Sequence, residues 1–267
     1  MTQALLLALA LALGDTPDAS AEDAGTPQAA VDAGAPAAAP SKEKDLEVVA
    51  AAIDRMKKAA DELKDFTATF YKREWKGKQL PEEVVALKYR ASPRSVYFKW
   101  VGKTYKDQEV IWQRGWNGDR ARAHPGTFPD ITVNLPTSHW LMTRYTRHEV
   151  PNAGFEFTIS VFARDLVIGR ARPECVIRAA DAGVTKIYDA PARCYELETD
   201  KARCPEMYAY RARLCVNEPL GVPAKIEVWD QEDGALRLIE EYGYGDTKVN
   251  VGLTDADFDP KNKAYDF

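Results

Sequence analysis

Near residue 64 the spacing of apolar residues changes period, and that change constrains the fold more than any other feature of the chain. Before it, Leu46, Val49, Ile53, Met56, Ala60 and Leu63 recur at intervals of three and four. This is one face of an amphipathic helix of about five turns. The stripe lasts under three heptads, which favours packing on a sheet over a coiled-coil seam. After it the interval becomes two, with Phe66, Ala68 and Phe70, then Val85, Leu87 and Tyr89, then Val96, Phe98 and Trp100, then Val110 and Trp112. A period of two places alternate side chains on one face of a strand, so these runs describe consecutive strands with a single apolar face. Their connections, Lys76-Gly77-Lys78, Ser92-Pro93-Arg94 and Asn117-Gly118, are short and rich in turn residues. Asn-Gly is a strong two-residue hairpin signal, and the whole reads as an antiparallel meander.

The meander breaks over residues 125–136. Ser138 is then placed to cap a short helix carrying Trp140, Leu141 and Tyr145. Phe155, Ile159, Phe162 and Leu166 fit a second helical face, while Phe155, Phe157, Ile159 and Val161 fit a strand equally well; the length of the segment favours the helix. Strands return at Tyr195 and Leu197, at Tyr208, Tyr210, Ala212, Leu214 and Val216, at Ile226 and Val228, and over 236–251. No repeat and no linker separates the two strand groups. The economical solution is an α+β fold: a single curved antiparallel sheet, an incomplete β-barrel, with helices packed on its concave face. Loose chain ends are normally small and polar. Here Phe258, Tyr265 and Phe267 are spaced through Asp, Asn and Pro, which predicts a docked turn beginning at Thr254.

Residues 1–21 read as a signal peptide. An apolar run from Ala4 to Leu13 is too short to span a bilayer, and Ala19-Ser20-Ala21 offers an A-x-A cleavage site, although the first basic residue is Lys42. A cysteine lipid anchor is not expected, because the first cysteine is Cys175. Residues 22–42, rich in Ala, Pro and Asp, hold nothing large to bury and are expected to form a flexible linker. That leaves 43–267 as the folded domain. The mature chain is expected to be periplasmic or otherwise exported, soluble, monomeric and without a transmembrane segment. A net charge of -5 argues against nucleic acid as a partner.

The four cysteines, Cys175, Cys194, Cys204 and Cys215, contain no CxxC pair and find no matching histidine pair for zinc. In an exported protein they read as structural disulfides, with three possible connectivities. If Tyr195 and Leu197 face the core on one strand and Tyr210, Ala212 and Leu214 on the next, then Glu196 can oppose Arg213 and Glu198 can oppose Arg211. Opposite charges favour that register, and it places Cys194 opposite Cys215, leaving Cys175 for Cys204.

Motifs of catalysis are missing. His124, His139 and His148 match no metal-binding spacing and read as surface or loop residues. No GxSxG elbow, phosphate-binding glycine loop or dinucleotide fingerprint occurs. Asp255, Asp257 and Asp259 resemble a calcium loop only superficially, since Phe258 and Pro260 interrupt the ligand pattern. No enzyme, cofactor or metal is expected.

Two segments carry a family resemblance. Arg147-His148-Glu149-Val150-Pro151 leads into Ala153-Gly154-Phe155, and Glu241-Tyr242 runs to Asn250-Val251-Gly252-Leu253, with Asp257-Phe258-Asp259 and the end from Asn262 to Phe267. Over 44–267 the chain resembles the periplasmic lipoprotein-carrier superfamily (LolA/LolB-like). More narrowly, it is similar to a bacterial exported family, domain of unknown function 1571. The resemblance implies a half-barrel whose cavity holds acyl chains under helical lids. Candidate walls are Phe70, Leu87, Phe98 and Trp112 from the sheet, with Phe155, Ile159 and Phe162 from the helical insert. The expected partner is a lipid or lipoprotein acyl chain. The alternative is a polypeptide, in a protein-interaction or envelope-stress sensing module that uses the same sheet.

Overall fold

A computed structural model describes residues 42–267. The leader, and all of the linker except Lys42, lie outside the described residues. Helix α1 (Lys42–Asp61) opens the fold, followed by β1 (Asp65–Glu74), β2 (Glu83–Arg90), β3 (Ser95–Trp100), β4 (Glu109–Gln113), β5 (Arg120–His124) and β6 (Val133–Pro136). Short α2 (Trp140–Thr143) and long α3 (Phe155–Ala171) come next. The chain then forms β7 (Ile177–Ile187), β8 (Ala190–Thr199), β9 (Arg211–Asn217), β10 (Pro223–Glu232) and β11 (Ala235–Val249).

All eleven strands form one sheet in the order β6-β5-β4-β3-β2-β1-β11-β10-β9-β8-β7. The chain walks outward from the centre to one edge, crosses to the other edge through the helical segment, and walks back until β11 pairs with β1. At that seam Phe70 lies opposite Tyr244 and Lys72 opposite Tyr242. Every pairing is antiparallel, because each connection except the helical crossover is a turn or loop too short for a parallel crossover. The apolar stripe of α1 is buried, with Val49, Ile53 and Met56 at 3% exposure or less. Gly154 precedes α3 with φ 100°, and a Cβ there would sit 2.8 Å from the Tyr89 ring, so both backbone conformation and space require glycine.

Four details differ from the sequence expectation. The 125–136 break contains β6, a four-residue edge strand paired with β5. The cap of α2 is His139, whose Nδ1 accepts from the Leu141 amide at 3.2 Å, rather than Ser138. Tyr208 and Tyr210 precede β9, which begins at Arg211; the Tyr208 amide is drawn away to Asp165 Oδ2 at 2.8 Å. Strand β7 forms where the sequence pattern predicts no strand: it is an edge strand, and beyond Ala179 none of its residues is buried, so it lacks the alternation that marks a half-buried strand.

Both disulfides are formed, Cys175–Cys204 and Cys194–Cys215. Cys194 lies directly opposite Cys215, in register with Glu196 opposite Arg213 and Glu198 opposite Arg211. Glu196 receives both arginines, at 3.2 and 3.3 Å. This pair lies on the outer face but is not exposed, since Ala192 and Ala224 bury it in a small apolar cluster.

The C-terminus is docked. Thr254 and Asp257 form a capping box around a 3-10 turn, Asp255–Phe258. Phe258 is 3% exposed against Tyr97 and Ile111, and the Tyr265 ring stacks on Tyr97 at 4.1 Å. Lys88 Nζ donates to Asp257 Oδ1 at 2.8 Å and to the Tyr265 hydroxyl at 3.0 Å. Tyr97 and Ile111 alternate with Phe98 and Val110, so the tail covers the outer face of the strands that carry Phe98 and Val110 on their inner, concave face.

Candidate functional site: a cavity on the concave face

The concave face is occupied unevenly. Over β7–β9, helices α1 and α3 fill it, leaving a void of about 20 Å³ bounded by Val49, Phe162, Ile177 and Leu197. Over β1–β6 and β11 the opposing wall is instead the largely irregular segment 125–158, and between wall and sheet lies a cavity of about 910 Å³. Its floor is made by Phe70, Val85, Leu87, Phe98, Trp100 and Val110. Its roof includes Leu135, Leu141, Met142, Val150 and Phe157. The floor rings form a contiguous surface: Phe70 lies 6.3 Å from Phe98 and 5.1 Å from Tyr244, and Phe98 lies 5.8 Å from Trp100.

The structure brings three of the sequence-predicted wall residues together here, Phe70, Leu87 and Phe98. The other four lie elsewhere. Trp112 is 4% exposed in the core, with its indole N–H on the Asp119 carbonyl at 3.1 Å. Phe155 is fully buried and stacked on Phe66 at 4.3 Å, while Ile159 and Phe162 are buried on the same stripe of α3. Helical geometry accounts for this. Residues 155, 159 and 162 share one face, and position 157 lies roughly 200° round from 155 at 100° per residue. Phe157 and Thr158 are therefore the α3 side chains that reach the cavity.

One side of the cavity carries a seam of buried charge that the sequence reading missed. Lys72 Nζ lies 3.0 Å from Glu83 Oε1 and 3.6 Å from Glu74 Oε2. The Trp100 indole donates to Glu83 Oε2 at 2.7 Å. Glu74 accepts from the Arg147 amide at 3.0 Å and from the Tyr242 hydroxyl. Glu240 accepts from Arg147 Nε at 3.0 Å and from the Tyr208 hydroxyl at 2.7 Å, with His148 Nε2 at 3.1 Å. Burial pushes the Glu240 carboxyl up, but His148, Tyr208 and Arg147 together hold it below the usual carboxylate range. Burial, reinforced by Glu240 and Glu74, raises the Tyr242 hydroxyl well above the normal phenol range. The signal for these groups was present in the strand phase. Lys72 and Glu74 continue the inward phase of Phe70, Glu83 precedes Val85 and Leu87 in theirs, and Glu240 precedes Tyr242 and Tyr244.

Of the three histidines expected at surface or loop positions, His139 and His148 do lie in irregular backbone and are half-buried, whereas His124 is buried at the end of a strand. His124 ends β5 at 4% exposure with Nε2 2.5 Å from Asp130 Oδ1; His139 caps α2, and His148 belongs to the buried seam. Asp257, one of the calcium-loop candidates, is bonded to Lys88 and Thr254. Among the described residues no cluster of His, Cys, Asp or Glu is arranged to hold a metal ion, and no helix is long and apolar enough to cross a membrane.

Comparison with known proteins gives one family match: the model of a protein family of unknown function, DUF1571, covers residues 63–267. A search of curated proteins found no match. Among solved structures, MucB in the Pseudomonas aeruginosa MucA/MucB complex is similar at 12% identity and a TM-score of 0.44, covering 79% of this chain and 60% of that one. This chain thus spans under two thirds of MucB. The Mycobacterium tuberculosis lipoprotein LppX is similar at 9% identity and 0.44, covering 78% and 98%. A LolA superfamily protein from Nitrosomonas europaea is similar at 12% identity and 0.30, covering 79% and 97%. The residues of the cavity, rather than these likenesses, carry the functional reading.

Proposed function

The chain belongs to the DUF1571 family of proteins of unknown function, and we propose that it is an exported, non-catalytic binding protein for a hydrophobic ligand, a lipid or the acyl chain of a lipoprotein. The observation that carries this reading is the cavity of about 910 Å³ with a floor of Phe70, Val85, Leu87, Phe98, Trp100 and Val110. Ligand sites commonly span roughly 300–1,000 Å³. Burying an acyl chain there contributes about 0.8 kcal/mol per CH₂, so tight binding requires no chemical step. The charged groups beside the floor support binding over turnover, because Lys72, Glu74, Glu83, Arg147 and Glu240 are engaged with one another. Two disulfides support an oxidising, exported location.

Native mass spectrometry of the protein purified from an exporting host, paired with titration of a fluorescent long-chain fatty acid, tests the reading. Lipid should co-purify, and the probe should bind competitively with it. Phe98→Asp, which sets a carboxylate on the floor, should abolish both while leaving the circular dichroism unchanged. Phe162→Asp, by contrast, should unfold the chain, since that ring is 7% exposed in the core. A wild-type protein that purifies empty and refuses the probe would overturn the proposal, and capture of a polypeptide by that empty protein would favour the alternative occupant.

A further inference from the structure

The mouth of the cavity differs in chemistry from its floor. Half of the large hydrophobic residues that are exposed among the described residues fall between positions 128 and 145: Phe128, Ile131, Val133, Trp140, Leu141 and Tyr145. Single exposed apolar residues are ordinary; a concentration in one short segment is not. Ile131, Val133, Leu141 and Tyr145 also line the cavity, so they stand at its opening. Phe128, 96% exposed, lies between the lining residues Thr127 and Pro129, and Trp140, 62% exposed, adjoins Leu141. Three exposed cations share this opening. Lys103, Lys106 and Arg144 line the cavity, and none forms an ion pair within the described residues. The Arg144 guanidinium lies over the Trp140 and Tyr145 rings at 5.4 and 4.8 Å. Of the nearby carboxylates, Glu149 accepts from the Thr137 hydroxyl at 2.5 Å and Asp130 is bonded to His124, while Asp107 is exposed beside Lys106.

We propose that this mouth is a docking surface for an anionic lipid bilayer, which the cavity faces when it loads or unloads. Exposed Trp, Phe, Leu and Ile beside Lys and Arg is the composition that settles at the headgroup boundary, where apolar burial and attraction to anionic lipid add. The net charge of the chain is -5, so a cationic, apolar opening directs one face of an otherwise acidic molecule to such a membrane. The proposal deepens the lipid-binding reading above, but each can fail alone.

Co-sedimentation of the exported protein with phosphatidylglycerol and with phosphatidylcholine vesicles tests it, with fatty-acid titration run in parallel. The protein should bind the anionic vesicles in preference to the neutral ones and lose affinity as salt rises. With each basic residue near an anionic surface contributing about fivefold, the triple variant Lys103→Gln/Lys106→Gln/Arg144→Gln should weaken binding on the order of 100-fold. Lys261→Gln/Lys263→Gln, on the docked tail, should leave it unchanged. Trp140→Ser should weaken it without altering fatty-acid uptake. Equal binding to both lipids, no binding to either, or an equal loss in the tail control would overturn the docking surface. Docking that persists in a protein unable to take up the fatty acid would sink the cavity reading and leave this one standing.

Discussion

Glu240 shows what one residue must satisfy to stay charged inside this fold. It is 3% exposed, and an isolated carboxylate so buried would cost several kcal/mol. Arg147, His148 and Tyr208 compensate from segments far away in sequence. Burial raises its pKa, yet these partners leave it lowered; Asp257, opposed by burial but bonded to Lys88, is lowered in the same way. A carboxyl group that is more acidic folded than unfolded contributes stability fully present above its unfolded pKa, near 4.3 for Glu. That contribution is lost as pH falls through the folded value. Urea midpoints should therefore hold between about pH 7 and 5 and drop below about pH 4. Glu240→Gln should cost about 2 kcal/mol at neutral pH, less than the usual loss for a broken buried pair because the Arg147 side chain keeps 27% exposure. The variant should also flatten the acid limb, and an acid limb as steep as the wild type's would remove Glu240 from this account.

At the scale of elements, the docked tail separates stability from binding. Phe258 fills a cluster with Tyr97 and Ile111 on the outer face, and the cavity lies on the inner face of the same strands. Phe258→Ala should therefore cost about 3 kcal/mol in thermal or urea unfolding and leave fatty-acid affinity unchanged; a loss of affinity at full stability would reverse the assignment. The aromatic spacing of the tail was legible because rings at a chain end have little reason to be there unless they are covered. The meander and the β8–β9 register were legible because one apolar face and opposed charges leave few alternatives. Strand β7 was not legible, since an edge strand that is mostly exposed carries no alternation. The working face of α3 was also hidden. That helix is apolar on two sides, one packed in the core through Phe155 and Phe162 and one facing the cavity through Phe157, so periodicity alone could not choose between them. The charged seam was visible only by letting strand phase override the expectation that Lys and Glu point outward.

Across the whole molecule, the two halves of the concave face are stabilised by different means. The half over β7–β9 is filled by α1 and α3, and its strands and their loops carry both disulfides, Cys175–Cys204 in the core and Cys194–Cys215 on the outer face, which close separations of 29 and 21 residues. By the chain-entropy estimate each bond contributes about 3–4 kcal/mol, a large part of the 5–15 kcal/mol typical of a folded domain. The half over β1–β6 has no covalent link, and its covering segment is held to the sheet through Arg147, His148 and their carboxylates. A cavity wall fastened by polar contacts can open locally without unfolding the body, because local stability follows local packing. Cys194→Ser/Cys215→Ser should therefore lower unfolding stability by about 3 kcal/mol while the protein, kept below its unfolding transition, binds the fatty-acid probe as before. In hydrogen exchange, the variant should lose protection in β8 and β9, and added fatty acid should protect β3, β4 and the 125–158 segment in both proteins. Lost probe affinity with β8 and β9 still protected would mean that the disulfide half shapes the cavity directly, and the division of labour between the halves would have to be abandoned.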